Sequence, residues 1–186
     1  MPSRRFGSVG GDSLGACLPR HRIVVLASAV APVVGSVGGF LCDRARQGWD
    51  VSVLLTRPAD TGPLAILGVS TRPPDADLEA DIDTVVGEIP AGATLAVEAG
   101  MFDSDACVRH NVAKIATQGR VTVAVWGRPA APAELRHGFE PVAHQPSAAA
   151  AAFKTHALRA VSTAEGAGTE MLYRLRAGSF RHLHPA

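Results

Sequence analysis

The sequence is poor in aromatic residues and in cysteine, and it carries almost no net charge. Aromatic side chains make up 5% of the 186 residues, although 47% are hydrophobic. A core built from this composition must consist of many small aliphatic side chains. The formal net charge is +1, which argues against a polyanionic partner such as a nucleic acid. The length fits one domain.

The three cysteines, Cys17, Cys42 and Cys107, are widely spaced and form no C-x-x-C motif. An odd number at such spacing does not make a disulfide framework. We therefore expect reduced thiols in a cytoplasmic protein.

No segment has the pattern of a secretory signal or a membrane span. Residues 1–21 are basic and rich in Gly and Ser, without an apolar core, so they predict a flexible tail rather than a signal. Residues 23–41 are apolar over roughly one bilayer thickness, but Pro32 and several glycines interrupt them. We expect one domain over residues 22–178, a second tail over residues 179–186, and no membrane contact.

Apolar runs rich in β-branched residues alternate with amphipathic segments along the chain. Strands are predicted at residues 23–27, 51–56, 94–98 and 121–126, and a further edge strand at 171–176. Helices are predicted at residues 37–47, 75–86, 105–118 and 147–161. Residues 30–36 and the Pro-rich stretch 128–146 are predicted as connections, and residues 64–69 are ambiguous. This alternation predicts a Rossmann-like α/β domain whose mostly parallel sheet is covered by helices on both faces.

The segment after the first strand is the first place to search for a site, because open α/β sheets bind ligands beyond the carboxyl ends of their strands. One interpretation is a nucleotide site formed by Gly35, Gly38 and Gly39, with Arg57 available for a 2′-phosphate. The glycine spacing, G-x-x-G-G, differs from the dinucleotide fingerprint G-x-G-x-x-G. Nucleotide binding is therefore kept as an alternative.

Residues 27–39 read ASAVAPVVGSVGG and resemble the first motif of the LmbE/PIG-L zinc deacetylases, (A/S)-x-H-P-D-D-E-x-x-G-x-G-G. Further matches follow in the same order: LGV at residues 67–69, DACVRH at residues 105–110 where the family has D-G-H-P-D-H, and KTHALRAV at residues 154–161 where it has K-x-x-A-(L/I)-x-A-H. The resemblance covers roughly residues 22–165. It implies an α/β deacetylase fold.

The same resemblance implies metal ligands at positions 29, 32 and 110 and a general base at position 31. This chain has Ala29, Ala31 and Pro32 at three of these positions, and of the four side chains only that of His110 can bind a metal. Catalytic zinc needs about three protein ligands and an open position for water. We therefore expect a degenerate member of the family with no cofactor, unless the zinc site is rebuilt from other residues.

Cys107 and His110, three residues apart, are the candidates for such a rebuilt site. They could supply two metal ligands, or a thiol nucleophile and its base; the plainer interpretation is a packing cysteine and a surface histidine. The leading hypothesis is a binding or regulatory subunit with a protein partner, a second copy or a sugar-like ligand. The alternatives are an active amide hydrolase or N-acetyl amino-sugar deacetylase, and a nucleotide-binding module.

Overall fold

The computed structural model describes residues 21–72, 87–127, 138–162 and 168–175. The strands are β1 (Arg22–Ala27), β2 (Asp50–Leu55), β3 (Ser70–Arg72), β4 (Thr94–Glu98), β5 (Thr122–Trp126), β6 (Phe139–His144) and β7 (Glu170–Leu175). The helices are α1 (Val30–Arg46), α2 (Gly62–Ile66), α3 (Ala99–Ser104), α4 (Ala106–Gln118) and α5 (Ala148–Ala160). The predicted helix at 75–86 and nearly all of both predicted tails lie outside the described residues.

The strands form one sheet in the order β3-β2-β1-β4-β5-β7-β6. β1 to β5 pair in parallel, whereas β7 runs antiparallel to both β5 and β6. β1 lies inside the sheet, between β2 and β4, and buries all of its IVVLA run, as expected for a strand covered on both faces. The predicted mostly parallel sheet is confirmed.

Helices cover both faces of the sheet, as predicted. One hydrophobic core joins α1, α2 and α5 to the sheet, through residues such as Val33, Leu41 and Leu158. The other core joins α3 and α4 to the opposite face, through residues such as Phe102 and Ile115. Alternate residues of β1 belong to alternate cores, because successive side chains of a strand point to opposite faces.

The predicted loop at residues 30–36 is wrong, because α1 already begins at Val30. Pro32 is compatible with a helix there, since it lies in the first turn, where a backbone N–H has no partner within the helix. Val30, Val33, Val34 and Val37 are all buried at helical spacing, and this burial outweighs the Gly and Pro signals. Residues 23–41 thus form β1 and most of α1. Within the described ranges no helix is both long and apolar enough to cross a membrane.

The predicted order of the last strands also needs correction. β6 lies inside the stretch 128–146, which was predicted as a connection, and it forms the edge of the sheet next to β7. β7 matches the predicted strand at 171–176 but lies between β5 and β6 instead of at the edge. Pro141 fits β6 because an edge strand tolerates a residue without an N–H. β3 and α3 were not predicted, and α2 lies in and just before the ambiguous segment 64–69.

Candidate functional site

The carboxyl ends of β1 and β4 meet at the position where a site was expected. Glu98, the last residue of β4, accepts a hydrogen bond from the N–H of Ser28 through Oε2, at 2.6 Å. Ala29 follows as the N-cap of α1, with an extended backbone and no side-chain cap. The junction between β1 and α1 is therefore held by a carboxylate from the neighbouring strand.

The positions that the resemblance assigns to the zinc site lie at the start of α1. Ala29, Ala31 and Pro32 are half-buried there, and none of their side chains has an atom that can bind a metal or take a proton. His110 is exposed on α4. The described ranges contain no group of three or more His, Cys, Asp or Glu side chains placed to hold a metal ion. These residues do not fit a catalytic zinc ion.

The start of α4 is organised by Asp105. Its Oδ1 accepts hydrogen bonds from the N–H groups of Cys107, at 2.8 Å, and Val108, at 3.2 Å, which makes it the N-cap. Cys107 is half-buried, and its Sγ accepts a hydrogen bond from Asn111 Nδ2 at 3.5 Å. The predicted Cys107–His110 chemistry stays a prediction, with the cysteine at the start of the helix and the histidine exposed one turn later.

Arg109 joins α3 to α4. Its Nη1 donates to the main-chain oxygens of Phe102, at 3.2 Å, and Asp103, at 2.7 Å. Burial raises the pKa of the Asp103 carboxyl, and the positive charge of Arg109 partly opposes this shift. The guanidinium thus satisfies carbonyl groups near the end of α3, where a helix leaves carbonyls without partners.

The paired glycines of the sequence motif lie inside α1 at points of close approach. A Cβ on Gly39 would come within 2.6 Å of Pro146 Cγ and 3.0 Å of Glu170 Oε1, and one on Gly38 within 3.2 Å of Leu67 Cδ1. The glycines therefore let β7, α5 and the residues before α5 pack against α1. Arg57 is exposed after β2, and nucleotide binding by Gly35, Gly38, Gly39 and Arg57 stays a prediction.

Glu170, the first residue of β7, is a residue that the sequence analysis missed. It is buried, and its two carboxylate oxygens accept hydrogen bonds from the N–H groups of Gly39, at 2.8 Å, and Phe40, at 2.6 Å, in the middle of α1. Lys154 on α5 donates to Glu170 Oε1 at 2.6 Å and to the carbonyl oxygen of Gly35 at 2.8 Å. In a regular helix, the N–H of Gly39 would donate to the carbonyl oxygen of Gly35. Glu170 and Lys154 therefore bind the two main-chain groups of one such pair.

A second polar cluster joins α1 to the residues before α5. Asp43 accepts hydrogen bonds from the hydroxyl of Ser147, at 2.6 Å, and from its N–H, at 2.9 Å, and its Oδ2 lies 3.0 Å from His144 Nε2. Burial opposes ionisation of Asp43, but these hydrogen bonds outweigh it and lower the pKa of the carboxyl below its ordinary value. Ser147 also caps α5 by accepting the N–H of Ala150. The hydroxyl of Ser147 thus donates to Asp43 rather than to His144, so the cluster joins and caps helices and does not pair a nucleophile with a base.

The chain matches no protein-family profile and no curated protein sequence. Its fold, however, is similar to that of solved deacetylases. A deacetylase triple mutant (Orf2*T) of the teicoplanin biosynthetic pathway aligns with a TM-score of 0.63 at 14% identity, over 85% of this chain and 99% of that one. The A40926 pseudoaglycone deacetylase Dbv21 aligns with a TM-score of 0.62 at 16% identity, over 87% and 100%. The chain therefore has the α/β fold of these deacetylases, as its resemblance to the LmbE/PIG-L family implied.

Proposed function

We propose that this chain is a noncatalytic protein of the cytoplasm that uses the deacetylase fold as a binding or regulatory subunit. The observation that carries the proposal is the start of α1, where Ala29, Ala31 and Pro32 stand at the positions that the family resemblance assigns to two metal ligands and the general base. A bound cation lowers the pKa of its water, and a carboxylate then takes the proton. Positions 29 and 32 carry no metal donor, and position 31 carries no carboxylate.

The surrounding contacts support the proposal. Glu98 is the carboxylate next to this helix start, and it already accepts the N–H of Ser28. In the segment 105–110, which resembles the family's D-G-H-P-D-H motif, Arg109 donates hydrogen bonds to main-chain oxygens of α3 and His110 is exposed. The scaffold is thus kept while the groups that would perform hydrolysis are replaced.

The test measures metal content and hydrolysis together on the full chain. After expression with added zinc, we expect elemental analysis to find a zinc content close to zero per chain. We also expect no hydrolysis of N-acetylglucosamine derivatives or of A40926 pseudoaglycone, on which the solved relative acts. Amide hydrolysis that a chelator abolishes would overturn the proposal. Hydrolysis that survives the chelator but disappears in Cys107→Ala would instead establish the thiol hydrolase.

A gain-of-function variant separates loss of ligands from loss of the scaffold. Ala29→His, Ala31→Asp and Pro32→Asp together restore the family's His-x-Asp-Asp pattern at the start of α1. Acidic residues are favourable in the first turn of a helix, so we expect the variant to fold. The matched control changes the same positions to Asn. If only the donors were lost, the His-Asp-Asp variant binds about one zinc ion per chain and the Asn variant binds none.

A further inference from the structure

The outer side of the helix pair α1 and α5 exposes arginine, aromatic and small side chains together. The α1–α5 surface is defined here by Arg46, Ala149, Ala152, Phe153, His156 and Arg159, of which Ala149 is half-buried and the others are exposed. Phe153 is 39% exposed, and the guanidinium of Arg46 lies 5.5 Å from the centre of its ring. The contact shows that α1 and α5 present these groups side by side.

The exposed charged side chains within α1, α2 and α5 carry one sign. The sequences of α1, α2 and α5 contain a single acidic residue, Asp43. Asp43 is buried and binds His144 and Ser147. The basic residue Lys154 is likewise buried against Glu170. The exposed charges of the three helices are therefore arginines, with His156 beside them.

We propose that the α1–α5 surface docks a protein partner through an acidic segment that also carries apolar side chains. Arginine and aromatic residues are enriched among the side chains that dominate binding energy at interfaces. The small side chains of Ala149 and of the exposed Ala152 let a second backbone approach closely. Since the surface lacks an exposed acid, acidic groups of a partner meet no repulsion and pair with Arg46 and Arg159. This inference rests on the proposed function, because it names the partner class of a binding subunit.

Two other occupants fit the surface less well. A symmetric dimer through this surface would place the same patch of both copies together and bring arginines against arginines. Binding to an anionic membrane would gain about 1 kcal/mol for each basic residue near the membrane surface. Among the residues that define the α1–α5 surface, however, Phe153 alone is a large apolar side chain that could insert into the lipid. A protein partner uses both the charges and the small side chains.

The experiment compares the full chain with the double variant Arg46→Glu/Phe153→Ala and with the control Lys114→Glu. Lys114 is exposed on α4, which packs on the opposite face of the sheet. Proteins captured from the source cells by each form are identified, and the one retained by wild type and control is purified. Its binding is then measured by calorimetry. We expect binding about tenfold weaker for the double variant and unchanged for the control. We also expect binding to weaken as salt is raised, and a Lys introduced at the partner's matching acid to restore binding to Arg46→Glu.

Several results would overturn the inference. These are equal binding by wild type and double variant, capture of no protein, capture of a second copy alone, or binding only to phosphatidylserine vesicles. Hydrolysis by the wild-type chain is a separate result, since it removes the noncatalytic proposal and leaves the docking measurement readable. Conversely, an inactive chain that binds its partner through α4 would remove the docking inference alone.

Discussion

Both faces of the sheet carry an apolar core, but the face of α1, α2 and α5 adds buried polar bonds between separate elements. On the face of α1, α2 and α5, a buried Lys154–Glu170 pair and the Asp43 cluster cross between elements. On the face of α3 and α4, the contact is an apolar core, and the polar bonds of Asp105 and Arg109 stay within the segment that forms these two helices.

This difference decides how each face responds to change. Buried hydrogen bonds are directional, and a partner left unpaired pays the full cost of its desolvation. Apolar contacts have no fixed direction, so neighbouring side chains can move partly into a gap. The α1 face should therefore be sensitive to changes of chemistry and of backbone spacing, and the α4 face mainly to changes of volume.

Lys154→Met should have the largest effect on stability. It leaves Glu170 buried with only main-chain N–H donors, and breaking a buried pair costs about 3–5 kcal/mol. Chemical denaturation measures the free energy of unfolding, with the exposed Lys114→Met as the matched control. Replacing both members, as Lys154→Met with Glu170→Leu, should cost less than the sum of the single changes, because no unpaired charge remains. A loss for Lys154→Met as small as that of the control would contradict the network.

Ile115→Ala tests the apolar face. Ile115 is 3% exposed on α4, and removing a side chain of this size from a core costs about 3 kcal/mol. Combined with Lys154→Met, the losses should add, since the two sites share no partner across the sheet. Strong coupling between them would show that the two faces do not act independently.

Gly39→Ala should follow in size, at about 2 kcal/mol, because the new methyl group overlaps Pro146 and approaches Glu170. Gly100→Ala is the matched control, since a Cβ there meets nothing within 4 Å. It should leave stability unchanged or raise it slightly, by about 0.5 kcal/mol. Equal effects of the two substitutions would rule out the close approach of Pro146.

The smallest expected effect is the acid sensitivity that Asp43 confers. Its pKa is lowered in the folded chain, although burial alone would raise it. The carboxylate therefore stabilises the fold above the pKa of the unfolded chain, about 3.9, and this contribution is lost as pH falls through the folded value. The difference in unfolding free energy between wild type and Asp43→Asn should shrink toward acid. A difference that grows there would reverse the sign of the argument.

Much of the architecture could be predicted from the sequence, because a buried strand appears as a short apolar run of neighbouring residues. Runs such as IVVLA at 23–27 and VTVAVW at 121–126 are rich in β-branched residues, so they predicted strands, the first of them parallel and buried on both faces. The structure confirms both strands. The sequence also shows that Ala29, Ala31 and Pro32 cannot bind a metal, because the lack of donor atoms is a property of these side chains themselves. The resemblance to the deacetylases added the fold, which the solved structures support.

Tertiary contacts decided what local patterns could not. The Gly and Pro content of residues 30–36 suggested a loop, but burial of the valines against the sheet makes them the start of α1. β6 exists because β7 supplies its hydrogen-bond partners. Glu170 looks like an ordinary strand residue in the sequence, yet it binds Gly39, which lies 131 residues earlier. The sequence by itself determined the buried strands β1, β2, β4 and β5, and it determined that the side chains at positions 29, 31 and 32 carry no metal donor. Only the folded chain decided the helix start, the edge strand and the buried pair, because these depend on contacts between distant residues.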